Sequence, residues 1–236
     1  MFRNYLKIAV RNLLKNKLYS GLNILGLSIG LTCCLAIGLY IHDEFSYDRF
    51  HSHSANIYRV TEHQDLLGNS INLAVTPGKL GPSLQDDFTQ VMQTCRLGTA
   101  SGYLQHGKAI AEPDHIYVTD PSFFTLFNFP LVLGDAKKIL LDPGEIVITE
   151  KLATRFFGKS WRNSDSLLGQ PFRFNDETTF VLAGIAKDPP ANSHIQFDVL
   201  LSFEYELQVN PRRMDWQNNN YYTYLLLNAG ADAAAF

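Results

Sequence analysis

Few side chains in this sequence have the types and spacing that could do chemistry, and none is grouped into a recognisable constellation. Phe156 to Trp161 reads "FFGKSW", and Gly158-Lys159-Ser160 has the ending of a phosphate-binding loop. Such a loop needs a further glycine five positions earlier, so that backbone N–H groups can cradle phosphate, and it opens a helix. Position 153 is Ala, and a helical pattern precedes Gly158 rather than following it. Gly158 therefore reads as a helix C-cap. His51 and His53 flank Ser52, with His42 and His63 not far off. Two imidazoles at that spacing could share a metal on an extended segment, but no Cys or carboxylate stands with them at ligand spacing. A solvated histidine pair is expected. The adjacent acids Asp86-Asp87 and Asp43-Glu44 would point apart on a helix, so neither couple can face a substrate together. No G-x-S-x-G, H-E-x-x-H or Cys/His couple occurs. The expectation is a non-catalytic protein without cofactor or metal.

The elements that would position any site begin with an apolar run that no soluble protein would leave in its chain. From Leu18 to Ile41 there is no charged side chain, a length that covers the roughly 30 Å hydrocarbon core of a bilayer with some tilt. A cleaved leader would have a shorter apolar region and a small-residue cleavage pattern, whereas this run passes into "HDEFSYDRF". An uncleaved transmembrane helix over 18–42 is expected. The first seventeen residues hold five of the 20 basic residues and no acid, which leaves 15 against 23 acids, a formal charge of −8, in the remainder. Positive flanks stay in the cytoplasm, so the N-terminus is expected inside and the main body periplasmic or extracellular. An acidic body also argues against nucleic acid as its partner. Cys33 and Cys34 lie within the run and Cys95 stands alone beyond it, so no internal disulfide framework is available.

Arg3, Lys7, Arg11 and Lys15 recur every fourth position and stack on one side of a helix, with Lys17 just after. Phe2, Tyr5, Leu6, Ala9, Val10, Leu13 and Leu14 gather towards another side. Residues 1–17 thus read as a basic amphipathic helix at a membrane interface, facing lipid and a cytoplasmic partner. Within the span, Gly26 and Gly30 make a G-x-x-x-G, a spacing that lets a second helix approach closely. A second copy or half of the protein is the expected partner there.

Residues 43–56 read as an outward stalk, and 57–236 as a mixed α+β domain of short helices interleaved with strands. Thr76 and Asp120, each followed by Pro, are expected helix N-caps. "GEIVITEKLATRFFG" is a buried strand running into a helix capped by Thr149 and stopped by Gly158. Hairpins are expected about Gly107 and about Asn175-Asp176. Strands are also expected at Ile57–Thr61, in "TQVMQTCRLGT", in "IQFDVLLSF" and in "YYTYLLLN", and Glu204 to Asn220 reads as a polar surface excursion. Phe123, Phe124, Phe127, Phe129, Phe156 and Phe157 read first as core against a sheet and second as an apolar groove.

These pieces carry a resemblance. "NYLKIAVRNLLKNKLYSGLNILGLSIGL", "LYIHDEFSYDRFHSHSANIYRV", "TPGKLGPSL", "DPSFFTLFNFPLVLGD", "VITEKLATRFFG" and "DPPANSHIQFDVLLSF" resemble ABC transporter permeases of the MacB/FtsX type, from the opening helix through the MacB-like periplasmic core domain. The resemblance implies a permease subunit in the bacterial inner membrane, non-catalytic itself and driven by a separate cytoplasmic ATPase. It implies helix motion passed to the outer domain (mechanotransmission) for export or extraction of peptide, antibiotic or lipidic cargo. Under it, Arg3, Lys7, Arg11, Lys15 and Lys17 face the ATPase and lipid, and Asp43, Glu44, Tyr47, Asp48, Arg49 and Phe50 form the coupling stalk. Such permeases continue into three further membrane helices, so the chain reads as an N-terminal fragment. The alternative expectation is a single-pass, membrane-anchored ligand sensor or binding module; its cytoplasmic tip of about seventeen residues is short for a signalling domain.

Overall fold

The structure is a computed structural model and describes residues 2–66, 68–163, 166–233 and 236. The chain divides into two compact units, Met1–Tyr47 and Asp48–Phe236. The first unit is helical. Helix α1 spans Phe2–Lys15 and α2 spans Lys17–Ser46. The basic residues of α1 recur along its surface as their spacing requires, although the Phe2 side chain lies outside the described residues. Helix α2 has 30 residues, a most apolar window of mean hydropathy 2.2, and no buried residue. At about 1.5 Å per residue it reaches beyond the roughly 30 Å hydrocarbon thickness. A Cβ added at Gly26 or Gly30 would meet no atom within 4 Å. The stretch 43–56, expected as one stalk, is helical only to Ser46; from Asp48 it folds within the second unit.

The second unit is built on a twelve-stranded mixed sheet. Its strands and helices follow in chain order as β1 (Ile57–Val60), the separate hairpin β2 (Glu62–Leu66) and β3 (Asn69–Leu73), β4 (Thr76–Pro77), α3 (Leu80–Asp87) and β5 (Val91–Ala100). Then come β6 (Leu104–His106), β7 (Ala109–Ala111), β8 (Ile116–Thr119), α4 (Phe123–Phe127), β9 (Leu131–Leu133), β10 (Glu145–Thr149) and α5 (Glu150–Phe157). The chain finishes its described elements with β11 (Pro171–Phe174), β12 (Thr178–Ala186), β13 (Val199–Ser202), α6 (Phe203–Val209) and β14 (Asn219–Leu227). The order across the sheet is β1-β14-β5-β8-β13-β10-β12-β11-β6-β7, with β8–β13 and β10–β12 parallel.

Strand alternation divides the core between the two faces of the sheet. Ile146, Ile148, Val199 and Leu201 point to one cluster, which α5 and α6 cover through Leu152, Ala153 and Phe203. Val147 and Leu200 point to the other, which α4 covers through Phe123, Phe124, Leu126 and Phe127. The phenylalanines are therefore core: Phe123, Phe124, Phe127 and Phe129 are buried, and Phe156 and Phe157 pack on the opposite cluster. The two predicted hairpins form. Gly107 turns with φ +57°, and Asn175 and Asp176 take φ +51° and +57° in the three-residue connection between Phe174 and its pair Thr178, closed by the Glu177 N–H donating to the Phe174 carbonyl at 3.0 Å. Gly158 ends α5 with φ +78°.

Four local expectations are corrected, three of them by a partner distant in the chain. Thr76 caps no helix: Thr76–Pro77 pairs with β14, and the Thr76 hydroxyl donates to Thr223 Oγ1 at 2.8 Å, so α3 starts only at Leu80. Asp120 caps no helix either; its carboxylate takes the Arg96 guanidinium through Nη2 at 2.6 Å and Nε at 2.9 Å. Arg96 is buried and lies 3.7 Å over the Phe203 ring, so its charge needs that carboxylate. Thr149 precedes α5, but its hydroxyl makes no cap. The region after Phe203 is no loose excursion: α6 buries Glu206, which accepts from Tyr221 Oη at 3.0 Å and from Arg213 at 3.0 Å.

Candidate functional site

The candidate site lies where the second unit begins. Asp48 has φ +56°, a left-handed conformation that Asp tolerates better than most residues, and tertiary contacts hold it there. Its backbone N–H donates to the Asn192 carbonyl at 2.9 Å. Its side chain takes the loop before β13 from two directions: Oδ1 accepts from the His194 backbone N–H at 3.1 Å, and Oδ2 lies 2.6 Å from His194 Nδ1. Because an ionised carboxylate only accepts, Nδ1 carries the hydrogen. The other ring nitrogen, Nε2, is hydrogen-bonded to the Tyr224 hydroxyl on β14 at 2.8 Å. The result is a chain of hydrogen bonds, Asp48–His194–Tyr224, whose three members are far apart in sequence. Burial pushes the Tyr224 hydroxyl well above its ordinary range, opposed by the nearby Arg59 cation. Tyr224 is thus a donor and not a base, and the chain serves as a tether.

His51 sits beside this tether and is not the solvated histidine expected. It is 4% exposed, with its ring 4.0 Å from Phe50, 5.5 Å from Phe127 and 5.1 Å from Phe129. Both ring nitrogens are shut off from solvent, and the polar group nearest them is the Phe127 backbone. Burial lowers its pKa below the usual 6.5; the Phe127 backbone and Asp48 pull the other way, and His194 adds to the lowering. His53 is exposed. The histidine pair is therefore split between two environments, because Phe50 and α4 enclose one ring and leave the other in water. Asp48, His51, Arg59, Phe127, His194 and Tyr224 line a cavity of about 420 Å³.

Of the residues singled out in the sequence, Arg3, Lys7 and Arg11 lie along exposed α1 beside Leu6, Val10 and Leu14, Lys15 closes that helix and Lys17 opens α2. Asp43, Glu44 and Tyr47 belong to the helical unit and are exposed. Asp48 and Phe50 belong to the second unit, one in the tether and the other against His51 and Phe129. Arg49 is exposed. Sequence reasoning missed Arg59, His194 and Tyr224. The signal was present only as parts: "PANSHIQFD" drew attention for its pattern, but nothing local indicates that His194 reaches back to Asp48.

Comparison with known proteins agrees with this architecture. The family model of the MacB-like periplasmic core domain matches residues 20–236. No curated protein matches in sequence. Among solved structures, a domain assigned to a permease protein of Porphyromonas gingivalis superposes with a TM-score of 0.67 at 21% identity, covering 78% of this chain and 78% of that one. The periplasmic region of MacB from Actinobacillus actinomycetemcomitans gives 0.56 at 12% identity, over 76% of this chain and 78% of that one. The extracellular domain of the noncanonic ABC-type transporter YknZ from Gram-positive bacteria gives 0.51 at 13% identity, over 74% and 83%. At these identities the likeness speaks for the fold.

Proposed function

This chain belongs to the family with the MacB-like periplasmic core domain, and on that premise we propose that it transmits the work of a separate cytoplasmic ATPase to an extracytoplasmic domain. The family is that of ABC transporter permeases of the MacB/FtsX type, whose permease domains partner with ABC ATPases. One apolar N-terminal helix followed by such a domain fits an inner-membrane protein with an extracytoplasmic body. In our reading the N-terminus is cytoplasmic, with Arg3, Lys7, Arg11, Lys15 and Lys17 against anionic lipid and the ATPase. Gly26 and Gly30 take a helix of a second permease copy or half. The cargo is a peptide, antibiotic or lipidic molecule handled on the outer side, moved by mechanotransmission rather than through a channel in this domain.

One observation carries the coupling part of this reading. Helix α2 ends at Ser46, and two positions later Asp48 is clamped by its backbone to Asn192 and by its carboxylate to His194. A displacement of the helix end is therefore felt at once by the loop that enters β13, a central strand of the sheet. Asp43, Glu44, Tyr47, Asp48, Arg49 and Phe50 form the transmitting segment. The test uses full-length protein with its ATPase in nanodiscs and spin labels at Tyr47→Cys and Leu168→Cys, both exposed positions. ATP is expected to shift the distance distribution, and Asp48→Ala is expected to abolish the shift while ATP hydrolysis continues. An unchanged shift in Asp48→Ala removes the tether from the coupling path. Reversing Arg3, Lys7 and Arg11 together is expected to uncouple hydrolysis from the same shift.

A further inference from the structure

From the cavity beside His51 we infer that the second unit binds a carboxylate carried on an apolar body, with Arg59 holding the acid group and the aromatic walls holding the tail. The inference is independent of the coupling reading, because occupancy of the cavity needs no ATPase.

Three observations lead to it. First, the cavity of about 420 Å³ has apolar walls from Ile57 and Phe127 and is large enough for an acyl or side-chain segment rather than a water or an ion. A second cavity of about 230 Å³ shares Arg59, His194 and Tyr224 and extends over Leu97 and Tyr222, so apolar surface lies on either side of Arg59. Second, the charges are unequally satisfied. Asp48 has both carboxylate oxygens engaged by His194, one by the backbone N–H and one by the ring. Arg59, the one fixed cation among the described lining residues, lies beside the Tyr224 hydroxyl, and among the described residues no carboxylate is within ion-pair distance of it. A guanidinium over an apolar cavity is suited to a bidentate carboxylate. Third, His51 is almost fully buried and lines the cavity with its ring, which packs on Phe127 and Phe129, so this wall is aromatic. The flat ring face gives the apolar tail a surface to lie on. Ser54 adds a hydroxyl at the same wall. The charged and titratable groups around His51 are Asp48 and His194, already paired with each other, so neither competes for the incoming acid.

The shared chemistry has two sources: a fatty acid from lipid, or the free C-terminus of an apolar peptide. The experiment uses the full chain in nanodiscs of zwitterionic lipid and a diazirine-bearing C12 fatty acid as photolabel, with labelled positions mapped by mass spectrometry. Mapping is needed because the bilayer itself takes up the probe. Labelling is expected on peptides containing Ile57, Phe127 or Tyr224, competed by laurate but not by dodecanol. Arg59→Gln, an exposed substitution that leaves the fold intact by thermal melt, is expected to lower site labelling about tenfold, the loss of one charge-assisted interaction. His51→Phe, which keeps the aromatic packing, is expected to lower it less. A leucine tripeptide acid and its amide form the second competition arm. Competition by either acid, with no effect of its uncharged counterpart, supports the site and assigns the source. Labelling that maps elsewhere, that persists in Arg59→Gln, or that dodecanol competes as well as laurate overturns the proposal.

Discussion

Helix α2 and strand β13 are both apolar and yet end in opposite surroundings. None of the 30 residues of α2 is buried by this chain, whereas all four of β13 are buried. Apolar content does not separate them. What separates them is who supplies the partner surface: β13 has strands on both sides and helices on both faces, so the chain covers it. Helix α2 is apolar all round and none of its residues is buried by the rest of the chain, which suits a helix covered by lipid. The same hydrophobic effect stabilises one through folding and the other through insertion.

That contrast can be broken at either end. The largest effect is expected from Leu200→Asp, which places an unpaired carboxylate in a strand with no solvent-facing side, at more than about 4 kcal/mol. The second unit should show no cooperative melt, with the protein still in the membrane fraction. Asp120→Ala comes next: it leaves the buried Arg96 without its carboxylate, which costs about 3–5 kcal/mol. Calorimetry of the nanodisc-bound protein should show a fall in melting temperature on the order of 10 °C. Leu27→Lys inverts the comparison, since a cation near the middle of α2 costs about 3 kcal/mol of insertion and nothing in the sheet. Carbonate extraction should release more of this variant while the melt of the second unit stays where it was. The smallest effect sharpens the picture around His51. Its pKa is lowered in the folded state, so the unfolded chain takes up the proton first. Stability is full above the ordinary value of 6.5 and declines as pH falls through it. Protection factors of residues 48–56, corrected for the intrinsic exchange rate at each pH, should fall as pH drops from about 7.5 to about 5.5, and His51→Phe should flatten that dependence.

How much could be read in advance follows from the same physics. The strand–helix unit at β10 and α5 was legible because Ile146 to Ile148, the amphipathic run after them and Gly158 are all local signals. The hairpin at Asn175-Asp176 was legible for the same reason. Thr76 and Asp120 were misread because each has the local look of a cap but finds a stronger partner elsewhere. Thr76 bonds to a residue 147 positions away, and Asp120 to one 24 positions away. Glu206 was read as surface because a charged residue in a polar stretch normally is; only Tyr221 and Arg213 make its burial tolerable. His51 failed in the same manner: Phe50 stands beside it in the sequence, but nothing local shows that Phe127 and Phe129 also close over the ring.

By itself the sequence determined the properties that depend on length, period and charge: an apolar helix long enough to span a bilayer, a basic amphipathic helix before it, and strands that alternate between two faces. Those are set between a short segment and its solvent, so no tertiary partner is required to read them. Which polar side chains leave the solvent was decided only by the tertiary structure. Asp48, His194 and Tyr224 acquire their bonding from one another across the fold, and His51 acquires its isolation from helix α4. A buried polar group is tolerable only with a specific partner or a specific enclosure, and both are fixed by where distant strands and loops are brought together.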